Sequence, residues 1–358
     1  MRTYPLTKKK CMKKSIVLFL GLFLVAAISV KAQDIGQIIA GSKADANQYL
    51  TTYLEPFGKG EILNMGRGWF NSAKVHKKLG FDVSVSAQLA VVPADKQSFI
   101  FRNADYSTFK LKNGATSATL PTFVGDKTIQ QIVVNTNVNG KDVTYEFSTP
   151  TGIGDDLKKN LPALAIPLPV AQIGLGLFKH TDIKVRYFPK TNFSGSEVGV
   201  FGVALQHEFS NYLPFIKKIP LLHLSALVGY NSVTTSYDLT GKGMEGSNQK
   251  AQLNISAVTV QGIASVKLAI FEVYTSLGYT SGKADASLNG NYIVSYTDKS
   301  NGQTFKYTVT DPIALSYTNS GVSNTWGVRL NLFFLKVFAD YTFANYNGIG
   351  AGVAFSFR

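Results

Sequence analysis

The chain has 358 residues, a formal net charge of +14, 12% aromatic side chains and a single cysteine, Cys11. Seven of its basic residues fall within residues 1–32, where there is no acid, so residues 33–358 carry 29 basic against 22 acidic side chains. A balance that mild does not point to nucleic acid, and with no cysteine after Cys11 it excludes disulfides, zinc–thiolate sites and cysteine nucleophiles from residue 12 onward.

Met12-Lys13-Lys14 precedes an apolar run from Ile16 to Ile28, then Val30-Lys31-Ala32. Basic start, apolar core and small-residue end are the marks of a signal peptide. The run is shorter than the roughly 20 residues of a spanning helix. Residues 1–32 are therefore expected to be removed after Ala32, with Met12 as an alternative start. No cysteine would lead the mature chain, which excludes a lipoprotein anchor.

Residues 33–79 do not alternate as a strand does. Ser42 with Asp45 resembles a capping box, and Ala46, Tyr49, Leu50, Tyr53 and Leu54 then share one helical face. Pro56, Gly58 and Gly60 are expected to end this helix. A helix of about thirteen residues needs a partner for its apolar face. Tyr49, Leu50, Tyr53, Leu54 and Trp69 are the expected plug contacts. Three placements stay open: the lumen of a barrel, its periplasmic rim, or a leader without a role.

From residue 80 the pattern has period two, which puts alternate side chains on opposite strand faces. Segment 80–92 sets Phe81, Val83, Val85, Ala87, Leu89 and Val91 against Asp82, Ser84, Ser86 and Gln88. Further strands are read at 169–178, 182–188, 197–209, 221–232, 253–268, 271–280, 324–333, 335–344 and 348–358. Three of them, starting at Leu222, Phe271 and Leu335, each reach an aromatic residue (Tyr230, Tyr279, Phe343) eight positions on. Eight residues, tilted, climb roughly 20 Å, near the height of the apolar band of a membrane barrel. In the last strand Ile349, Ala351, Val353, Phe355 and Phe357 oppose Gly348, Gly350, Gly352, Ala354 and Ser356. No open edge survives in hydrocarbon, so the last strand must pair with the first.

The expected fold is all-β: a transmembrane antiparallel up-and-down barrel over residues 80–358, in the outer membrane of a Gram-negative cell. It has ten strands if 93–168 is one external insertion, twelve if that segment supplies two strands, and fourteen at most. Segments 93–168 and 281–322 are read as long external loops, whereas the turns near 179–181, 269–270 and 333–335 are short and periplasmic. Outer-membrane lipid is the implied partner. Val353, Phe355 and Phe357 are the expected signal for the barrel assembly machinery.

Gly68-Trp69-Phe70-Asn71-Ser72-Ala73-Lys74-Val75-His76-Lys77 with Gly80-Phe81-Asp82, and the stretch Leu175 to Tyr187, resemble a family of uncharacterised Gram-negative outer-membrane barrels. The resemblance covers most of the mature chain and implies fold and compartment, with no activity attached. More loosely, a barrel with an N-terminal hatch resembles long-chain fatty-acid outer-membrane transporters, an analogy of architecture only.

Parity places Lys184, Arg186, Glu208, Lys267, Glu272, Arg329, Lys336 and Asp340 in the lumen. They either crosslink it or form a charged constriction. His223 with Ser225 is the nearest approach to a hydrolytic pair, and His207-Glu208 lacks the second histidine of a zinc helix. No enzymatic role, cofactor or metal is expected. The functional expectation is a channel or transporter for small or hydrophobic solutes, gated by the N-terminal segment, with a hydrophobic small molecule as ligand. The alternative is a non-transport envelope barrel that displays surface loops or scaffolds a complex.

Overall fold

The computed structural model describes residues 32–138, 140–193, 196–219, 221–241, 245–297 and 304–357. Apart from Ala32, the expected signal peptide lies outside them. Helices α1 (Ala32–Ile39) and α2 (Lys43–Asn64) lead into strand β1 (Phe81–Val91). An insertion follows, with β2 (Ser98–Arg102), β3 (Phe109–Leu111), β4 (Ser117–Pro121), β5 (Gln131–Val138), β6 (Lys141–Ser148) and helix α3 (Gly154–Asn160). The wall continues as β7 (Ala165–Gly176), β8 (Thr181–Phe193) and β9 (Ser196–Glu208). After the short helix α4 (Pro214–Lys217) come β10 (Leu222–Asp238), β11 (Glu245–Leu268) and β12 (Phe271–Thr297). The chain ends in β13 (Thr304–Thr310), β14 (Ile313–Leu332), β15 (Leu335–Phe343) and β16 (Gly348–Phe357).

Ten antiparallel strands, β1, β7 to β12 and β14 to β16, close into one ring. The seam joins first strand to last, from Phe81 opposite Phe357 to Ala90 opposite Gly348. Closure removes the edges that hydrocarbon forbids. Among the described residues the ring thus has ten strands, and 93–168 is an insertion between β1 and β7 with its own small sheets, β2–β4 and β3–β5–β6. Among the described residues, β13 pairs with the outer end of β12 alone.

Along the tall strands the chemistry of the two faces inverts although side-chain parity does not. In β12 the lipid face reads Phe271, Val273, Leu277, Tyr279, all exposed, and the lumen face Glu272, Tyr274, Ser276, Thr280, all buried. Beyond Thr280 the outward positions become Ser281, Lys283, Asp285 and Ser287, and the inward ones Gly282, Ala284, Ala286 and Leu288. The same swap occurs in β11 between Val258 and Ser256, in β10 between Tyr230 and Ser232, and in β14 between Val322 and Ser320. Register aligns these points: Tyr230 faces Val258, and Tyr279 faces both Val260 and Val322. The inversion marks where the wall leaves lipid for water: below it lipid wets the outside, above it water does, and apolar side chains turn to the interior.

This corrects the reading of 281–322 as a polar loop. Residues 281–297 and 313–322 continue β12 and β14 far above the membrane. Their polar outward faces look loop-like because they no longer meet lipid. Strands β10 and β11 are likewise longer than the membrane-depth segments that period and hydrophobicity reveal.

Helix α2 stands inside this outer extension. Ser42 caps it through the Asp45 N–H at 3.5 Å. The Asp45 carboxylate does not complete a capping box. It accepts from the backbone N–H and hydroxyl groups of Ser107 and Thr108 at 2.6–3.1 Å, tying the insertion to the helix. The helix does not stop at Pro56, Gly58 and Gly60, as expected, but runs 22 residues to Asn64. Those glycines are contact points. A Cβ at Gly58 would lie 3.0 Å from the Tyr317 ring, and one at Gly60 2.8 Å from Ile166. Tertiary packing outweighs the helix propensity these residues lose.

The wall is lower on the side of β15, β16, β1 and β7. Above Asn324, β14 has no β15 partner, and α2 covers that edge. Asn47 accepts from the Ala314 N–H at 3.0 Å and donates to Pro312 O at 2.9 Å, while Asn319 donates to Lys59 O at 2.9 Å. On its other side α2 meets the insertion through Tyr49, Tyr53 and Phe57, whose rings pack on Phe99 and Phe123. Each such ring contributes about 1.5–3 kcal/mol by leaving water.

Candidate functional site

From Met65 the chain descends through the lumen, residues 65–79, and enters β1 at the periplasmic end. The segment has no regular structure, so its backbone groups need partners from the wall. Near the top, Arg67 donates to Leu89 O at 3.3 Å and to Tyr346 O, and Gln261 donates to Gly66 O at 2.8 Å. At mid-depth the Trp69 indole lies on Gly202 and Gly229, where a Cβ would come within 3.0 and 3.3 Å. The Arg186 guanidinium covers its face at 3.5 Å and donates to Arg67 O at 2.8 Å and Gln172 Oε1 at 3.1 Å. Lower down, Gln206 donates to Ser72 O at 2.9 Å, and the Ala73 N–H donates to Ser265 Oγ at 3.1 Å. Glu272 accepts from Ser72 and from Arg329 Nη2 at 2.6 Å, and Arg329 Nη1 reaches Asn71 Oδ1 at 2.6 Å. At the mouth Glu208 takes the Val75 N–H at 3.1 Å and His223 Nδ1 at 2.7 Å.

Of the eight charged positions assigned to the lumen by parity, Arg186, Glu208, Glu272 and Arg329 are brought onto this thread. Asp340 accepts from the Tyr274 hydroxyl at 2.9 Å. Lys184 is buried on β8, Lys267 stands opposite Glu272, and Lys336 lies beside the 333–334 turn. At membrane depth Arg186, Glu208, Glu272 and Arg329 grip the thread. Of the plug candidates, Trp69 is in the lumen, whereas Tyr49, Leu50, Tyr53 and Leu54 sit above the membrane in the outer core. His223 and Ser225 are given to different partners: the Ser225 hydroxyl accepts from Gln206 at 2.8 Å. Val353, Phe355 and Phe357 face lipid on the closing strand.

Sequence reasoning missed Asp182, Gln172 and Gln206 as thread-holding groups, with His76, Trp69 O and Ser72 O as their counterparts, and Asn71 as the partner of Arg329. The first three share the inward parity of the charged candidates, so a search over every inward polar residue, charged or neutral, finds them. The thread residues lie in a segment without period and leave no such trace.

Three spaces lie along the path from α2 to the periplasmic mouth. The outer one, about 170 Å³, lies between α2 and the inverted inner faces of β11, β12 and β14, and is lined by Leu50, Leu54, Phe57, Leu253, Leu288 and Leu315 among others. Phe57 also borders a smaller cavity of about 50 Å³ that holds Glu61 among Met65, Ile166, Val233 and Ile255. Burial pushes the Glu61 carboxyl up to about 8, against the opposing pull of Asn64 and Arg67. At Asp45 burial acts upward as well, but the donors of Thr108 and Ser107 outweigh it and hold the carboxyl below its usual range. The periplasmic space, about 520 Å³, is bordered by Lys74, Lys77, Lys78, Lys179 and His180 and by the α4 connection. Among the described residues no group of histidine and acidic side chains has the arrangement of a metal site.

Among solved structures, the chain is similar to the transport unit of the autotransporter AIDA-I from Escherichia coli, at 10% identity and TM-score 0.30, over 85% of this chain and 99% of that one. It is also similar to the outer-membrane protease OmpT from Escherichia coli, at 10% identity and TM-score 0.28, over 80% and 100%. A third likeness is to Ail, the attachment invasion locus protein of Yersinia pestis, at 10% identity and TM-score 0.24, over 78% and 99%. No curated protein matches the chain. The closed ten-strand ring with its apolar belt is an outer-membrane barrel, and over residues 12–357 the chain matches, and belongs to, the family of unknown function DUF6588.

Proposed function

We propose that this barrel captures an apolar small molecule at its outer end and passes it inward past the lumenal thread. The observation that carries the reading is the outer cavity of about 170 Å³, walled almost wholly by aliphatic and aromatic side chains. A dry apolar cavity of about 150 Å³ is large enough to hold a benzene ring. The occupant is thus an aromatic ring or the end of an alkyl chain. A turn of the Phe57 side chain joins the outer cavity to the smaller one beside Glu61, making room for a longer chain. Passive diffusion of polar solutes does not fit a lumen filled by residues 65–79, so passage requires the thread to shift.

The test is binding of a fluorescent medium-chain fatty acid to the purified protein in detergent. Ala286→Phe fills the cavity from the wall and is expected to weaken binding at least tenfold without loss of fold. Equal binding by both proteins contradicts the site. A ligand that binds but is never transferred across liposomes turns the reading toward a surface-displaying barrel without transport.

A further inference from the structure

At the periplasmic mouth, Asp182 of β8 accepts the backbone N–H of His76 at 3.0 Å and, through its other oxygen, the ring Nδ1 at 2.8 Å. The tautomer that donates Nδ1–H to this buried carboxylate presents its lone pair at Nε2. The Ser356 hydroxyl on β16 stands 3.3 Å from that nitrogen. Three separate segments (thread, β8 and closing strand) therefore place a nucleophile, a base and the group that orients the base in one line. Burial is graded along it: Asp182 is 1% exposed and His76 9%, whereas Ser356 is only half-buried at the mouth. The neighbouring Glu208–His223 pair has the same carboxylate-to-Nδ1 bond at 2.7 Å, but Ser225 beside it is taken by Gln206. Holding the thread needs no imidazole, because the N–H groups of Val75 and His76 already bind Glu208 and Asp182.

We infer that Ser356, His76 and Asp182 form an acyl-transfer site on the lumen side of the closing strand, which hydrolyses carboxylic esters of inner-leaflet lipids whose headgroups enter the periplasmic mouth. Depth selects the substrate class. Ser356 alternates with Phe355 and Phe357, which face lipid and stack on Phe334 at 6.1 and 6.4 Å, and Phe357 stacks on Phe81 at 5.1 Å. Aromatic residues of this kind mark the headgroup level of a barrel, where the ester bonds of a glycerolipid lie. Ser356 Oγ attacks the ester carbonyl carbon as its proton passes to His76 Nε2. The tetrahedral intermediate collapses, and the departing alcohol takes that proton. Water, deprotonated by His76, then attacks the acyl-serine; the carboxylic acid leaves and Ser356 regains its hydrogen. The net change is ester plus water to acid plus alcohol, with no redox partner. Asp182 is a positioning residue acting through His76.

The test uses the full chain in detergent, with an alkyl fluorophosphonate and, separately, a short-chain phosphatidylglycerol in mixed micelles. One phosphonyl adduct is expected, mapped to Ser356. Ester hydrolysis should fall about a hundredfold or more in Ser356→Ala and His76→Gln, and adduct formation should slow by a similar factor in Asp182→Asn. Wild-type protein without an adduct on Ser356 overturns the inference, as does hydrolysis that survives Ser356→Ala. Should the variants fail to fold, the adduct map of the wild-type chain decides alone.

Discussion

The membrane band and the outer extension are built from the same strands with opposite chemistry. In the band, Val258, Val260 and Leu277 meet lipid while Gln261, Glu272 and Arg329 meet the thread. In the extension, Ile255, Ala284 and Leu315 are buried against α2 or the cavity beside it, and Asn254, Lys283 and Ser316 face water. A strand fixes only which residues share a face. The solvent on each side decides which face must be apolar. The band therefore needs a polar filler and has the thread, whereas the extension needs an apolar one and has helix α2 with the insertion.

The comparison breaks most sharply under charge substitutions. Ile255→Asp puts an unpaired carboxylate into the outer core and is expected to destabilise by about 3–5 kcal/mol. Val260→Arg, outward in the lipid belt, should lose about 2–4 kcal/mol, whereas Asn254→Leu, outward above the belt, should stay within about 0.5 kcal/mol. Urea unfolding in lipid vesicles ranks the three. Equal losses for Val260→Arg and a matching charge at position 254 would contradict the inversion.

Removing a thread clamp separates the two fillers. Arg329→Ala removes the Arg329–Glu272 ion pair and the hydrogen bond from Arg329 to Asn71. An expected loss of about 3 kcal/mol should come with new ion conductance in planar bilayers. A variant of the outer filler, Tyr53→Ala, should destabilise the extension without raising conductance.

Glu61 tests the extension alone. Its folded carboxyl lies at about 8 and its ordinary value at 4.5. Between those values the unfolded chain has released a proton that the folded chain keeps, so stability falls as pH rises through this window. Glu61→Gln removes the slope. It should match wild type near pH 4 and exceed it by about 5 kcal/mol at pH 9. Ser42→Ala should cost only about 0.5–1 kcal/mol, through loss of the α2 cap.

Much of the band was legible because lipid on one side makes period-two alternation strict. The lipid faces of 80–92 and 348–358 and their pairing followed from parity and the need for closure. The extension was hidden because its outward residues are those of a surface loop, and only parity carried across Tyr279 and Ser281 reveals one strand. Pro56, Gly58 and Gly60 read as a helix stop because local propensity is blind to the Tyr317 and Ile166 side chains that demand close approach. The Arg186–Trp69 stack and the Asp182–His76 pair join residues more than a hundred positions apart in the sequence, which no local pattern encodes.

The central claim is that the chain enters its own barrel from the outside, fills the lumen and emerges at the periplasm. Two single-cysteine variants test it on intact cells with a bulky, membrane-impermeant maleimide: Thr51→Cys on the exposed face of α2 and Lys78→Cys at the periplasmic mouth. The account predicts that Thr51→Cys reacts at once and Lys78→Cys only after the outer membrane is permeabilised. Protection of Thr51→Cys until permeabilisation, or labelling of both positions from the same side, would contradict it.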